Sequence, residues 1–291
     1  MHPLLEKLLA NGPIVTDGAW GTELQARGLQ SGEFPDEWNL THPDKVAEVA
    51  SAYVKAGSQV ILTNTFGGNR FRLEAHGLAA KAADINRAGV QISKQAAGDK
   101  ALVFASIGPS GKMLVAGEVT EDELRAAFEE QARALTAGGA DALVVETMSD
   151  LDEAKIAVSA ARATGLPVVG CMVYDSGKNK DRTMNGNTPE QAAEGLAAAG
   201  ADVIGANCGQ GIAGFVPICQ RLRAVTTKPL WMKANAGLPE MENDRIIYRT
   251  NPAAFAEVIP QLIAAGANFV GGCCGTSPAY IEAVVARLQK R

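Results

Sequence analysis

Histidine is nearly absent from this chain: of 291 residues only His2, His42 and His76 are histidines, and no two form an HxH or HxxxH pair. A histidine-built zinc site and a Ser-His-Asp triad therefore have little support. Basic runs interleaved with aromatics are missing too, and a net charge of −5 does not suit a polyanion binder. The apolar runs are too short to span a bilayer, and Met1-His2-Pro3-Leu4-Leu5-Glu6-Lys7 lacks a basic stretch leading into a long apolar one. No nucleic acid and no membrane are expected as partners, and the expected location is cytoplasmic. Cysteine is sparse as well: five residues, without the even count and dense spacing of a secreted disulfide scaffold. Reduced thiols used for metal binding or catalysis are the natural alternative.

What is present is a rhythm. With 47% hydrophobic and 20% charged residues, the chain can bury a full core. Short β-branched runs alternate with Ala-rich amphipathic segments, which is the βα pattern of a parallel sheet. Strands are expected at Ile14–Asp17, Gln59–Asn64, Ala101–Ile107, Ala142–Glu146, Pro167–Val173, Val203–Asn207, Leu230–Asn235 and Asn268–Gly272. Helices are expected at Pro43–Ala56, Ala80–Ala97, Glu121–Ala137, Asp150–Thr164, Pro189–Ala199, Val216–Thr226, Pro252–Ala265 and Pro278–Lys290. Eight such pairs specify an α/β fold, a single (β/α)8 TIM barrel, more readily than an open doubly wound sheet. No linker or composition break divides residues 1–291, so one domain is expected. The irregular stretches Ala19–Leu40, Asp175–Asn187 and Gly237–Thr250 all follow strands, on the face where barrels place their active sites.

The chemistry sits at strand ends. Cys273 and Cys274 close the eighth strand inside Gly271-Gly272-Cys273-Cys274-Gly275-Thr276, and Cys208 ends the sixth in Asn207-Cys208-Gly209. Strands six and eight flank strand seven, so the three thiols can converge on one ion. Successive strand side chains point to opposite faces, so the adjacent pair needs a sharp backbone twist, which the flanking glycines permit. Three thiolates on one Zn²⁺ leave a fourth position open for a substrate. A free thiol of pKa about 8.5 is only slightly ionised at neutral pH, and coordination raises that fraction. Electron-rich sulfur ligands keep the bound thiolate reactive, which suits alkyl transfer to a thiol better than carbonyl hydrolysis.

The ordered motifs Asp17-Gly18-Ala19-Trp20-Gly21-Thr22, Asn39-Leu40-Thr41-His42-Pro43, Thr63-Asn64-Thr65-Phe66, Glu146-Thr147-Met148-Ser149-Asp150, Asn207-Cys208-Gly209, Asn235-Ala236-Gly237-Leu238-Pro239 and the terminal Cys-Cys segment span nearly the full chain. Together they resemble the zinc-dependent homocysteine S-methyltransferase family. The Thr-Asn-Thr-Phe strand end looks most like the homocysteine-binding module of cobalamin-dependent methionine synthase. The resemblance implies zinc on Cys208, Cys273 and Cys274 and homocysteine as methyl acceptor. It implies that Asp17 and Glu146 hold the amino-acid ammonium, with backbone N–H groups near the first strand end, Gly18 among them, taking the carboxylate. Asn235 falls near the family's metal site, where an oxygen fills the fourth position before substrate arrives. Trp20 and the Arg182-Thr183-Met184-Asn185-Gly186 loop depart from the family's pattern.

No Asp-x-His-x-x-Gly motif for cobalamin ligation and no second barrel follow, so a separate donor is expected. The candidates are a methylated corrinoid protein, free methylcobalamin, or a small sulfonium or quaternary ammonium compound. Three other readings stand beside this one. Lys233 on strand seven could form a Schiff base, as in aldolases. Gly209-Gln210-Gly211 with Gly214 could cradle a phosphate. A non-catalytic module that binds zinc and a thiol is the third. Asp-Gly is also a turn signal, and Glu146 could cap a helix. Asn64 and Asn207 read as backbone braces, and Cys171 and Cys219 as core residues.

Overall fold

A computed structural model of the chain describes residues 1–242 and 245–289. The strands in chain order are β1 (Ile14–Val15), β2 (Val60–Ile61), β3 (Leu102–Ile107), β4 (Ala142–Met148), β5 (Val168–Met172), β6 (Val203–Gly211), β7 (Leu230–Asn235), β8 (Pro239–Glu242), β9 (Arg245–Tyr248) and β10 (Ala267–Gly272). Eight of them form one parallel sheet in the order β1-β10-β7-β6-β5-β4-β3-β2. A parallel bridge between Thr16 and Val60 joins its two ends, so the sheet closes into the expected barrel. Helices lie outside, because apolar strand residues facing outward need a cover that a βα crossover supplies.

The interior is layered. Ile14, Val60, Phe104, Val144, Val169, Val203, Trp231 and Phe269 fill the lower barrel, and Leu5 closes it from below on a short helix, Pro3–Leu9. That helix was not anticipated; its seven residues show only two turns of apolar pattern, too little for periodicity to register. Trp231 packs against Phe269 at 5.2 Å between ring centroids and Phe104 at 6.0 Å. Polar side chains take over above this layer, at the C-terminal ends of the strands.

Neighbouring strands approach closely where one carries no side chain. A Cβ on Gly205 would lie 2.1 Å from the Trp231 carbonyl oxygen on the adjacent strand. Because that neighbour is backbone, Gly205→Ala is expected to cost at least about 1–3 kcal/mol by overpacking. Urea unfolding would detect the loss, and an unchanged midpoint would contradict it.

Several boundaries differ from expectation. The sixth helix begins at Ile212, not Val216, and contains Pro217. Proline lacks an N–H, but so close to the helix start it forfeits only one bond. Strand β6 runs through Gly211 directly into that helix, so the Gly209-Gln210-Gly211 run is strand rather than a free phosphate-binding loop. The stretch Ala19–Leu40 holds a helix at Gly21–Ala26 and further helical turns, and Gly237–Thr250 holds an antiparallel hairpin, β8 with β9. Residues 243–244, and Lys290 as the expected last helical residue, lie outside the described residues. Among the described residues, no helix is long and apolar enough to cross a membrane.

Candidate active site at the barrel mouth

The three sulfurs converge. Ligand atoms of Cys208, Cys273 and Cys274 all lie within 4.8 Å of one another, and the Cys208 and Cys274 sulfurs are 3.8 Å apart. A tetrahedral ion with metal–sulfur bonds of about 2.3 Å needs sulfurs about 3.8 Å apart. The donor set therefore fits such an ion.

The backbone achieves this differently from the expectation. Cys273 and Cys274 lie beyond the end of β10 in a turn, so strand alternation no longer separates their side chains. The sharp bend falls at Cys208 itself, whose φ of 62° is left-handed without being glycine. Such a conformation is tolerated where the surroundings over-determine it. Asn235 supplies part of that frame: its Oδ1 accepts the Cys274 N–H at 3.0 Å, and the Cys273 N–H donates to the Ala234 carbonyl at 2.7 Å. Tyr248, on the returning strand of the hairpin, packs over Gly275 beside the thiols. Burial first, then the neighbouring cysteines, pushes its phenol up to about 12.

Within the trio the mutual hydrogen bonds favour the charged form at Cys208 and oppose it at the other two. Hydrogen bonds from Cys273 and Cys274 bring its thiol down to about 3. Hydrogen bonding to Cys208 then pushes Cys273 up, and Cys274 up to about 12. A divalent cation held between the sulfurs works in the opposite sense and favours all three as thiolates.

Beside the sulfurs lies an acidic floor. Glu146 is 7% exposed; Ser106 donates its hydroxyl to Oε1, and Asn207 donates to Oε2 at 3.3 Å. Burial raises the Glu146 pKa, although Lys233 pulls it down. Asn207 also accepts the Thr147 N–H at 2.7 Å, which fixes Thr147 at a φ of 61°. It reaches Cys273 Sγ at 3.9 Å as well, so one amide braces both the acid and a thiol. Asp17 is fully buried: Lys233 donates to Oδ1, while Trp20 Nε1 and the Leu62 N–H each donate to Oδ2 at 2.7 Å. Gly18 follows in contact range of Thr276 and Tyr53, where any added Cβ would lie 2.6 Å from the Thr276 carbonyl.

Every residue singled out in the sequence for the site lies in the last residues of a barrel strand or just beyond it: Glu146 and Cys208 within β4 and β6, Asn235 at the end of β7, Asp17 and Gly18 past β1, and Cys273 and Cys274 past β10. Asn64 and Asn207 brace neighbouring groups, and Cys171 and Cys219 are buried in the core. Lys233, Ser106, Trp20 and Tyr248 join the site without having been assigned to it. For Lys233 and Ser106 a signal existed: each is a polar residue inside an otherwise apolar strand. The Lys233 ammonium is held in a buried ion pair with Asp17, which lends the Schiff-base reading no support. Burial opposes its charge, but Asp17 and Glu146 raise its pKa.

Comparison with known proteins decides the family. A family model described as homocysteine S-methyltransferase matches residues 14–288. The chain belongs to the homocysteine S-methyltransferase family. It is 32% identical to methionine synthase of Mycobacterium tuberculosis over 298 residues, covering 96% of this chain and 25% of that relative. It is 31% identical to methionine synthase of Mycobacterium leprae, over 98% of this chain and again 25% of the relative. The chain thus spans about a quarter of the length of these curated relatives. Among solved structures, the metallated form of the homocysteine methyltransferase MmuM from Escherichia coli superposes with a TM-score of 0.82 at 25% identity. The match covers 97% of this chain and 99% of that one.

Proposed function

We propose that residues 1–291 form a homocysteine-binding barrel that transfers a methyl group from a separate donor to the sulfur of L-homocysteine, giving methionine. The observation that carries this reading is the convergence of three thiols beside a buried carboxylate at the barrel mouth of a family member. Cys208, Cys273 and Cys274 are the residues that would hold one zinc ion. When bound, zinc supplies a field that ionises the incoming thiol, while three sulfur ligands leave that thiolate nucleophilic.

The chain's own residues do the rest. Glu146 and Asp17 make the floor acidic, on the side where the amino-acid ammonium is held, and backbone N–H groups around Gly18 lie near the carboxylate. Asn235 and Asn207 fix the cysteines and the acid relative to each other, so the substrate's two ends are placed together. The new bond is sulfur to methyl carbon. The electron pair of the broken bond stays with the donor, and the thiol proton leaves to solvent. No general acid or base is required, in keeping with a site built without histidine.

A methylcorrinoid is the favoured donor. The Thr63-Asn64-Thr65-Phe66 strand end supports it, and so does the rim. Phe66, Met113, Val115, Met184, Leu238 and Met241 are exposed, the first five on connections that follow barrel strands and Met241 on β8 of the hairpin that follows β7. Such an apolar collar suits a bulky partner, a corrinoid or the protein that carries it, better than a small ion. A sulfonium or quaternary ammonium donor is the second reading. The test is methionine formation by the zinc-loaded protein with L-homocysteine and, in turn, methylcobalamin, S-methylmethionine and betaine. Turnover with one donor is the expected result. Zinc and homocysteine binding without turnover from any donor would instead select a non-catalytic module.

A further inference from the structure

The two carboxylates of the floor are not equivalent. A carboxylate offers about four acceptor positions. Asp17 has committed them to three donors on three different elements: the Lys233 ammonium on β7, the Trp20 indole, and the Leu62 amide just past β2. It is 0% exposed, and its ion-pair partner Lys233 is 2% exposed. Glu146 is engaged only by the Ser106 hydroxyl and by a longer bond from Asn207. An arriving ammonium needs an acceptor with free lone pairs, and Glu146 has them: Lys233 acts on its charge through space but gives its hydrogen bond and ion pair to Asp17.

We propose that Lys233 and Trp20 reserve Asp17 as a structural counter-ion, so that Glu146 alone takes the substrate ammonium and Lys233 is a positioning residue that sets the charge of the floor. Two carboxylates and one ammonium leave a single net negative charge, matched to the one cationic group of an α-amino acid. With the lysine absent, a second buried carboxylate would stand unpaired beside the thiolates, a costly arrangement. Trp20 then has a purpose where it departs from the family's pattern: its N–H fills the side of Asp17 that Lys233 does not reach. This inference rests on homocysteine being the substrate of the mouth.

The test separates a paired Asp17 from one that binds substrate, and uses affinity rather than turnover. Calorimetric titration of zinc-loaded protein with L-homocysteine gives the Kd of the unaltered protein, Asp17→Asn, and the double variant Asp17→Asn with Lys233→Met. In the single variant Lys233 loses its partner and turns to Glu146, so Kd is expected to rise about tenfold or more. Removing both charges frees Glu146 again, and Kd is expected to return to within about threefold of the unaltered protein. A double variant as weak as the single one would make Asp17 a direct ligand and overturn the proposal. Zinc content and the circular-dichroism melt check that each variant is folded. Should the double variant not fold, Asp17→Asn with Lys233→Gln keeps a neutral hydrogen bond across the same gap and is read in the same way. No homocysteine binding by the unaltered protein would defeat the functional reading instead, so the two failures are distinct.

Discussion

Cys208→Ala is expected to strip the thiol cluster of its metal and to lower methyl transfer by about 10³-fold or more. Two sulfurs cannot close the site, and Cys208 is the one thiol that β6 contributes to it. The measurement is zinc per protein by plasma emission, alongside methionine formation. Cys208→Gly separates loss of the ligand from damage to the fold. At a φ of 62° glycine is the more comfortable residue. That variant should therefore lose zinc as completely as the alanine variant while unfolding at no lower temperature in the metal-free state. Full zinc content and activity in either variant would sink the assignment.

Glu146→Gln is expected to raise the KM for homocysteine by about 10- to 100-fold, the worth of a charge-assisted hydrogen bond, with a smaller change in kcat. The pH dependence fixes the sign. Burial lifts the Glu146 pKa, and Lys233, Ser106, Asp17 and the Cys208 thiol are the other groups acting on it. A protonated Glu146 cannot accept an ammonium, so KM in the unaltered protein rises as pH falls through that raised value. The glutamine variant has no proton to gain there, and its KM should be flat over the same range. A parallel acid limb in both proteins, at equal zinc occupancy, would assign the titration elsewhere.

The barrel was legible because its signals are local. Leu230–Asn235 and Glu121–Ala137 form where expected, since a β-rich run and a capped amphipathic segment each carry their own evidence. The helix at Glu121 even has a reciprocal capping box, Thr120 with Glu123. The cysteines were legible because three thiols at strand ends have few other uses. What could not be read depends on closure of the ring. Lys233 and Asp17 are 216 positions apart, and only the register of β7 against β10, and of β10 against β1, brings them together. The left-handed turn at Cys208 was equally hidden. Its neighbour Gly209 advertised a bend, but the residue that bends first is Cys208 itself.

The ring is not equally stitched all the way round. Strands β6 and β7 pair from Ile204 with Leu230 up to Gly211 with Asn235, whereas β1 and β2 are two residues each and are joined by one bridge and by two bonds between Val15 and Gln59, one of them to the Gln59 side chain. The Leu62 amide crosses that joint to Asp17, so a side chain of the floor does the work of a missing ladder bond. Local opening favours the joint with the fewest bonds to break. The barrel therefore cannot breathe at its weakest joint without dismantling its own acidic floor. Each excursion to the opened ring is a silent one, and the fraction of time spent closed sets a ceiling on how much of the population can work.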